Sequence, residues 1–138
     1  MNDALYQALI VEHDRAPRNQ GPLPGATHEA TIDNPLCGDV VTVRLIVDGD
    51  RVASAAFEAR GCALSRAAAS MLTERVIGRP IAELAPLVAE FERFVGAPPD
   101  DAVPAELGDL AAFAGVRRAR SRRVCATLPF RALLAAIP

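Results

Sequence analysis

The chain has 138 residues, 51% of them hydrophobic, and a formal net charge of −2. That is one domain's worth of sequence, long enough to bury roughly two-thirds of its unfolded surface without disulfides. The near-neutral charge argues against wholesale nucleic-acid binding. All fifteen basic residues are arginine, which excludes a lysine Schiff base and, with no GxxxxGK[ST] stretch, a P-loop. No apolar run approaches the ~20 residues of a membrane span. The opening MNDALYQALIVEHDR reads as an amphipathic helix carrying acids, not as a secretory leader. Three unpaired cysteines then suit a reducing cytoplasm, where they signal metal or sulfur chemistry, or plain burial.

Helical spacing of Leu5, Leu9 and His13 predicts a first helix over 4–14, with Asp3 as its N-cap. The prolines and glycines of 16–25 predict a loop. Three strands are expected next, at about 27–33, 40–47 and 51–59. Alternation puts Val41, Val43, Leu45 and Val47 on one face of the second, and Ala53, Ala55, Phe57 and Ala59 on one face of the third. Asp48-Gly49-Asp50 is a hairpin signal between them. A helix over 63–77 carries Leu64, Ala67, Ala68, Met71, Leu72 and Val76 as its apolar stripe and stops at Gly78 and Pro80. A second covering helix is expected at 81–94, a loop at 96–104, a short helix at 105–114 and a last helix near 126–136. The expected class is α+β: an antiparallel meander covered on one side by helices.

The chemistry gathers at NPLCGD, residues 34–39. Gly38 can turn the chain so that Cys37 and Asp39 point at one place. A thiolate and a carboxylate that converge are most simply two ligands of one metal ion. Cys62 follows the third strand, so a hairpin of matched strands returns it beside Cys37. Cys62 and Cys125 are each expected near a helix start, where the helix dipole favours thiolate. Three sulfurs and one oxygen make a tetrahedral zinc set. Burial of three lone cysteines is the plain alternative, because free cysteine is among the most buried residue types. His13 and His28 are better read as helix-face and strand residues than as ligands, and Ser65 and Ser70 as capping and packing residues.

NPLCGD, GCALSRAAASMLTE and RRVCATLPF resemble the three cysteine motifs of the U-type iron–sulfur cluster assembly proteins, the IscU/SufU/NifU N-terminal family. LYQALIVEHDRAPRNQG is similar to that family's first helix and its Pro-Arg-Asn-x-Gly loop. The resemblance runs from about Leu5 to the C-terminus. It implies a single α+β domain over 1–138, with a three-stranded antiparallel sheet, helices on one side and a metal site at one end. It also implies that Cys37, Asp39, Cys62 and Cys125 hold Zn2+ or receive a transient [2Fe–2S] cluster.

Two features are similar to the SufU branch. Cys62 and Cys125 stand 63 positions apart, which leaves room for an inserted segment within about 80–110. The Leu-Pro-Pro-Val-Lys motif of IscU-type scaffolds is absent from a chain without lysine. Three residues depart from the pattern: Asp14 stands where an aromatic is common, Phe130 where tryptophan is unsurprising, and Arg66 puts a bulky charge into the Cys62 motif. Membership of that branch implies a partner, a SufS-type cysteine desulfurase that carries the pyridoxal phosphate, and a downstream Suf assembly complex. Cys37 would take the sulfur, with Asp39 beside it. A scaffold that builds [2Fe–2S] on the same ligands, and a binding domain with structural zinc, are the rival readings. Five arginines in 117–123 are a solvated face or a docking patch, with Arg117 and Arg118 as candidate partner cations. Arg122, three residues before Cys125, is the one best placed to pair with Asp39 when the metal site opens.

Overall fold

The computed structural model describes residues 3–138, with side chains from Ala4, so the expected Asp3 cap lies outside the described side chains. Helix α1 (Asp3–Arg15) leads into a loop and then strands β1 (His28–Asn34), β2 (Asp39–Asp48) and β3 (Arg51–Arg60). The sheet is an antiparallel meander in the order β1-β2-β3. Asp48 pairs with Arg51, which leaves Gly49-Asp50 as a two-residue turn, and Gly49 supplies the positive φ of 65° that it needs. Helix α2 (Ala63–Val76) follows directly, then a 3₁₀ turn, α3 (Leu84–Gly96), a 3₁₀ segment (Ala105–Arg118) kinked at Gly108, and α4 (Arg120–Ala136).

One face of the sheet presents Val41, Val43, Leu45 and Phe57, all buried, and helices α2 and α4 cover it. Ala67, Ala68 and Ala69 are wholly buried, so the small side chains of α2 let it lie close to the sheet. The opposite face is polar. There Arg44 on the central strand bridges Glu29 on β1 at 2.7 Å and Glu58 on β3 at 2.6 Å. The loop after α1 lies along the free edge of β3: Phe57 N–H donates to the Asn19 carbonyl and Gly21 N–H to the Phe57 carbonyl. That pairing blunts an otherwise open sheet edge.

Two expectations about the elements need correction. A register shift between Ile46 and Val47 pairs Val47 with Val52 and Ile46 with Ser54, so Ala53 is the extra, exposed residue and Val52 is the buried one. A bulge reverses the alternation at that point. The last helix starts at Arg120 and not near 126, with Ala119 in extended conformation just before it. Arginine is a good helix former, and the basic run is the helix's first turn.

The segment between α2 and α4 forms its own part of the core. Phe91 of α3 stacks on Phe130 of α4 with centroids 3.9 Å apart, and Phe113 meets Phe91 edge-on at 5.8 Å. Arg75 of α2 clamps the 3₁₀ segment by donating to the carbonyls of Leu107, at 2.9 Å, and of Glu106.

Candidate metal centre

The site is assembled from three element ends and the flank of a fourth. Asn34 closes β1 and organises the loop: its Oδ1 accepts from Leu36 N–H at 3.1 Å, and its carbonyl accepts from Gly38 N–H at 2.8 Å. Gly38 takes a φ of 76°, which a residue with a Cβ resists. This turn leaves Cys37 exposed, with Leu36 beside it 94% exposed, and carries Asp39 into the interior at 1% exposure. Asp39 pairs with Asn34 at the first position of β2.

Gly61 is the next fixed point. Its φ is 131°, and a Cβ there would fall on the Asp39 carboxylate. The carboxylate can therefore lie against the backbone that begins α2. Cys62 is the N-cap of that helix, with extended φ and ψ of −82° and 163°. Its N–H donates to Asp39 Oδ1 at 2.9 Å and its thiol to Oδ2 at 3.3 Å. Ser65, one turn on and fully buried, has its hydroxyl 2.9 Å from Asp39 Oδ2 and 3.0 Å from the Cys125 carbonyl. One hydroxyl proton serves either acceptor.

Cys125 comes from the second turn of α4, not from its start. The helix-terminus argument for its thiolate therefore fails. Burial pushes the Cys125 thiol well above its ordinary value, and its hydrogen bonds with Cys62 and Asp39 add to the effect. Burial would also raise Asp39, but the Cys62 N–H, the Ser65 hydroxyl and the two neighbouring thiols outweigh it and hold the carboxyl below its usual value. The centre is built on an ionised carboxylate that accepts hydrogen bonds from its neighbours.

Among the described residues, the ligand atoms of Cys37, Asp39 and Cys125 lie within 4.8 Å of one another and can hold a metal ion. Cys62 adjoins this group through its contacts with Asp39. The structure thus brings all four sequence-nominated residues to one end of the sheet. The donors fit zinc: soft thiols plus one carboxylate, where a cation would offset the cost of ionising a buried thiol.

The other nominated residues fare differently. Arg118 and Arg122 are exposed, and no hydrogen bond or ion pair joins Arg122 to Asp39. Arg117 is buried: its guanidinium donates to the carbonyls of Ala114 and Asp101 and lies over the Phe94 ring at 5.2 Å. It holds the 3₁₀ segment and is not a surface cation, which corrects its place among the docking candidates. His13 is buried against Ser70, with Nδ1 2.7 Å from the hydroxyl, and His28 sits at the start of β1 with Nδ1 on Thr27. Sequence reasoning missed Ser65 as a partner of the site. The signal was its spacing, three residues after Cys62, which puts it on the same side of the first helical turn.

The family model for the NifU-like N-terminal domain matches residues 5–126. The chain belongs to that family. Within it, the chain is 37% identical over 132 residues to the zinc-dependent sulfurtransferase SufU of Bacillus subtilis, covering 95% of this chain and 88% of the relative. It is 35% identical over 133 residues to the iron–sulfur cluster assembly scaffold protein IscU of Streptococcus pyogenes, covering 96% and 82%. A solved structure described as a SUF-system cluster assembly scaffold, from Fervidobacterium islandicum, superposes with a TM-score of 0.87 at 25% identity over the full length of both chains. The three-stranded antiparallel sheet with its covering helices is therefore the family's fold.

Proposed function

We propose that this member of the family works in iron–sulfur cluster assembly as a zinc-bound acceptor of sulfur from a cysteine desulfurase. Support comes first from the unequal standing of the three thiols. Cys37 alone is exposed, on a loop turned by Gly38, whereas Cys62 and Cys125 are half-buried. One thiol is thus presented to a partner while two stay with the fold. The similarity to a relative named as a zinc-dependent sulfurtransferase points the same way.

Cys37, Asp39, Cys62 and Cys125 would hold the zinc, which supplies thiol activation without redox chemistry of its own. In the transfer, the Cys37 thiolate attacks the outer sulfur of the partner's persulfide. A new S–S bond forms on Cys37, the partner's S–S bond breaks, and the partner's cysteine leaves as thiolate, so no oxidant is needed. Asp39 stays in place because Cys62 N–H and the Ser65 hydroxyl hold both its oxygens. The 34–38 loop can move without disturbing that anchor. Pyridoxal phosphate belongs to the partner, since this chain has no lysine to bind it covalently. The 63 positions between Cys62 and Cys125, with room for an inserted segment within about 80–110, support the SufU branch.

A second reading is a scaffold for a [2Fe–2S] cluster on the same residues, favoured by the relatives named as scaffolds. Asp39→Ala separates the two. An acceptor loses zinc and loses its stimulation of desulfurase turnover, measured as sulfide released from cysteine. A scaffold instead retains a reconstituted cluster longer in Asp39→Ala, followed by visible absorbance with iron present. A longer-lived cluster, with no stimulation by the zinc-bound wild type, would overturn the acceptor reading.

A further inference from the structure

A groove of about 480 Å³ lies between α1, the 3₁₀ segment and the first turn of α4. Its walls are apolar over most of their extent, formed by Tyr6, Ile10, Leu64 and Val116, and two arginines, Arg118 and Arg122, stand on it. No acidic side chain among the described residues lines it. Among the described residues neither guanidinium has a hydrogen-bond or ion-pair partner, whereas those of Arg44, Arg66 and Arg79 are all ion-paired. Val11 at the rim is 45% exposed. An apolar trough beside two unpaired cations is complementary to a segment that carries a large apolar side chain next to a carboxylate.

The position of the groove says which segment. Leu64 stands two residues beyond Cys62, and Arg122 stands one helical turn before Cys125. The groove therefore lies within one helical turn, along α2 and α4, of two residues of the metal centre, Cys62 and Cys125. Building on the sulfur-acceptor reading above, we propose that this groove seats an acidic–apolar segment of the sulfur-donating desulfurase and aligns it with Cys37. A small carboxylate is a poorer occupant, because exposed guanidiniums hold an isolated anion weakly. A protein segment adds burial of its apolar side chain and shields the ion pairs from water.

Gly115 allows a direct test. It lines the groove, lies outside the left-handed region, and a Cβ placed on it meets nothing within 4 Å. Gly115→Phe therefore fills the trough with little strain on the fold, and Arg118→Glu reverses one of its charges. Arg93→Glu, an exposed arginine of α3 away from the groove, is the control for net charge. Each full-length zinc-loaded protein is titrated into the desulfurase by calorimetry at low and raised salt. Gly115→Phe and Arg118→Glu should each weaken binding at least tenfold. Arg93→Glu should stay within twofold of wild type. The salt dependence should be shallower for Arg118→Glu and unchanged for Gly115→Phe, while zinc content stays that of wild type in all three. Wild-type affinity in both groove variants would overturn the assignment and leave the acceptor reading standing. Failure of the wild type itself to bind the desulfurase would remove both.

Discussion

The Ser65 hydroxyl ties the two halves of the metal centre together. It donates to Asp39 from β2 or to the Cys125 carbonyl from α4. The Cys125 carbonyl needs that donor because the residue four positions on is Pro129, which has no N–H to give it. Ser65→Ala should therefore leave a buried acceptor unpaired and cost about 1–3 kcal/mol. The expected reading is a lower denaturant midpoint at unchanged m-value. An unchanged midpoint would show that the carbonyl finds another partner. A second residue-scale feature involves two departures from the family pattern. Asp14 and Arg66 form an ion pair with each other, Nε to Oδ1 at 2.8 Å, so the charge placed in the Cys62 motif is met by the charge placed in α1. Both side chains are about a quarter exposed. A double-mutant cycle with Asp14→Ala and Arg66→Ala should give a coupling of roughly 0.5–1 kcal/mol, falling with added salt. Strictly additive single mutants would mean the pair is incidental.

At the scale of elements, the sequence exposes what is periodic and hides what is not. The helical stripe of α2 and the meander with its Gly49 turn were legible, each from a repeat or a turn residue with its own physical cause. Cys125 was placed with Cys37, Asp39 and Cys62 by the family resemblance, because the helix-start argument for it does not hold. The bulge at Ala53 was not legible, because alanine and valine are equally apolar in a period-two reading and either can face inward. The start of α4 was missed because Ala119 offers no capping oxygen and a run of arginines reads as a linker. That error also misplaced Cys125, which is a second-turn residue held by burial and not a helix-start thiol. Arg117 was misjudged for a related reason: adjacent arginines look alike in sequence, but one packs on Phe94 and the next faces water. Phe130, where tryptophan would be unsurprising, stacks on Phe91.

For the molecule as a whole, stability and function separate along the chain. His13 is part of what fastens α1 to the body of the fold. It is buried with Nδ1 on Ser70 and Nε2 3.7 Å from Glu74, and Ser70 also accepts from the Arg18 N–H. Burial lowers its pKa and the nearby Arg18 charge lowers it further, against the smaller opposing pull of Glu74, Glu12 and Asp109. A depressed imidazole stays neutral in the fold and takes up its proton first in the unfolded chain. Its effect is therefore absent well above about 6.5, costs stability as pH falls through that unfolded value, and levels off below the folded one. Urea unfolding at pH 7.5 and 5.5 should show a larger loss for wild type than for His13→Gln; parallel losses would mean the imidazole is not strained. None of this touches Cys37, which stands on the exposed loop at the other side of Asp39. The central claim is that this thiol takes the sulfur. Incubating the zinc-loaded protein with a cysteine desulfurase and cysteine, then mapping persulfide by peptide mass spectrometry before any reductant is added, tests it most directly. The account predicts a 32 Da addition (one sulfur atom) on the Cys37 peptide, with Cys62 and Cys125 unmodified and zinc retained. Persulfide on Cys62 or Cys125 in place of Cys37, or on none of the three while the desulfurase turns over, would contradict it.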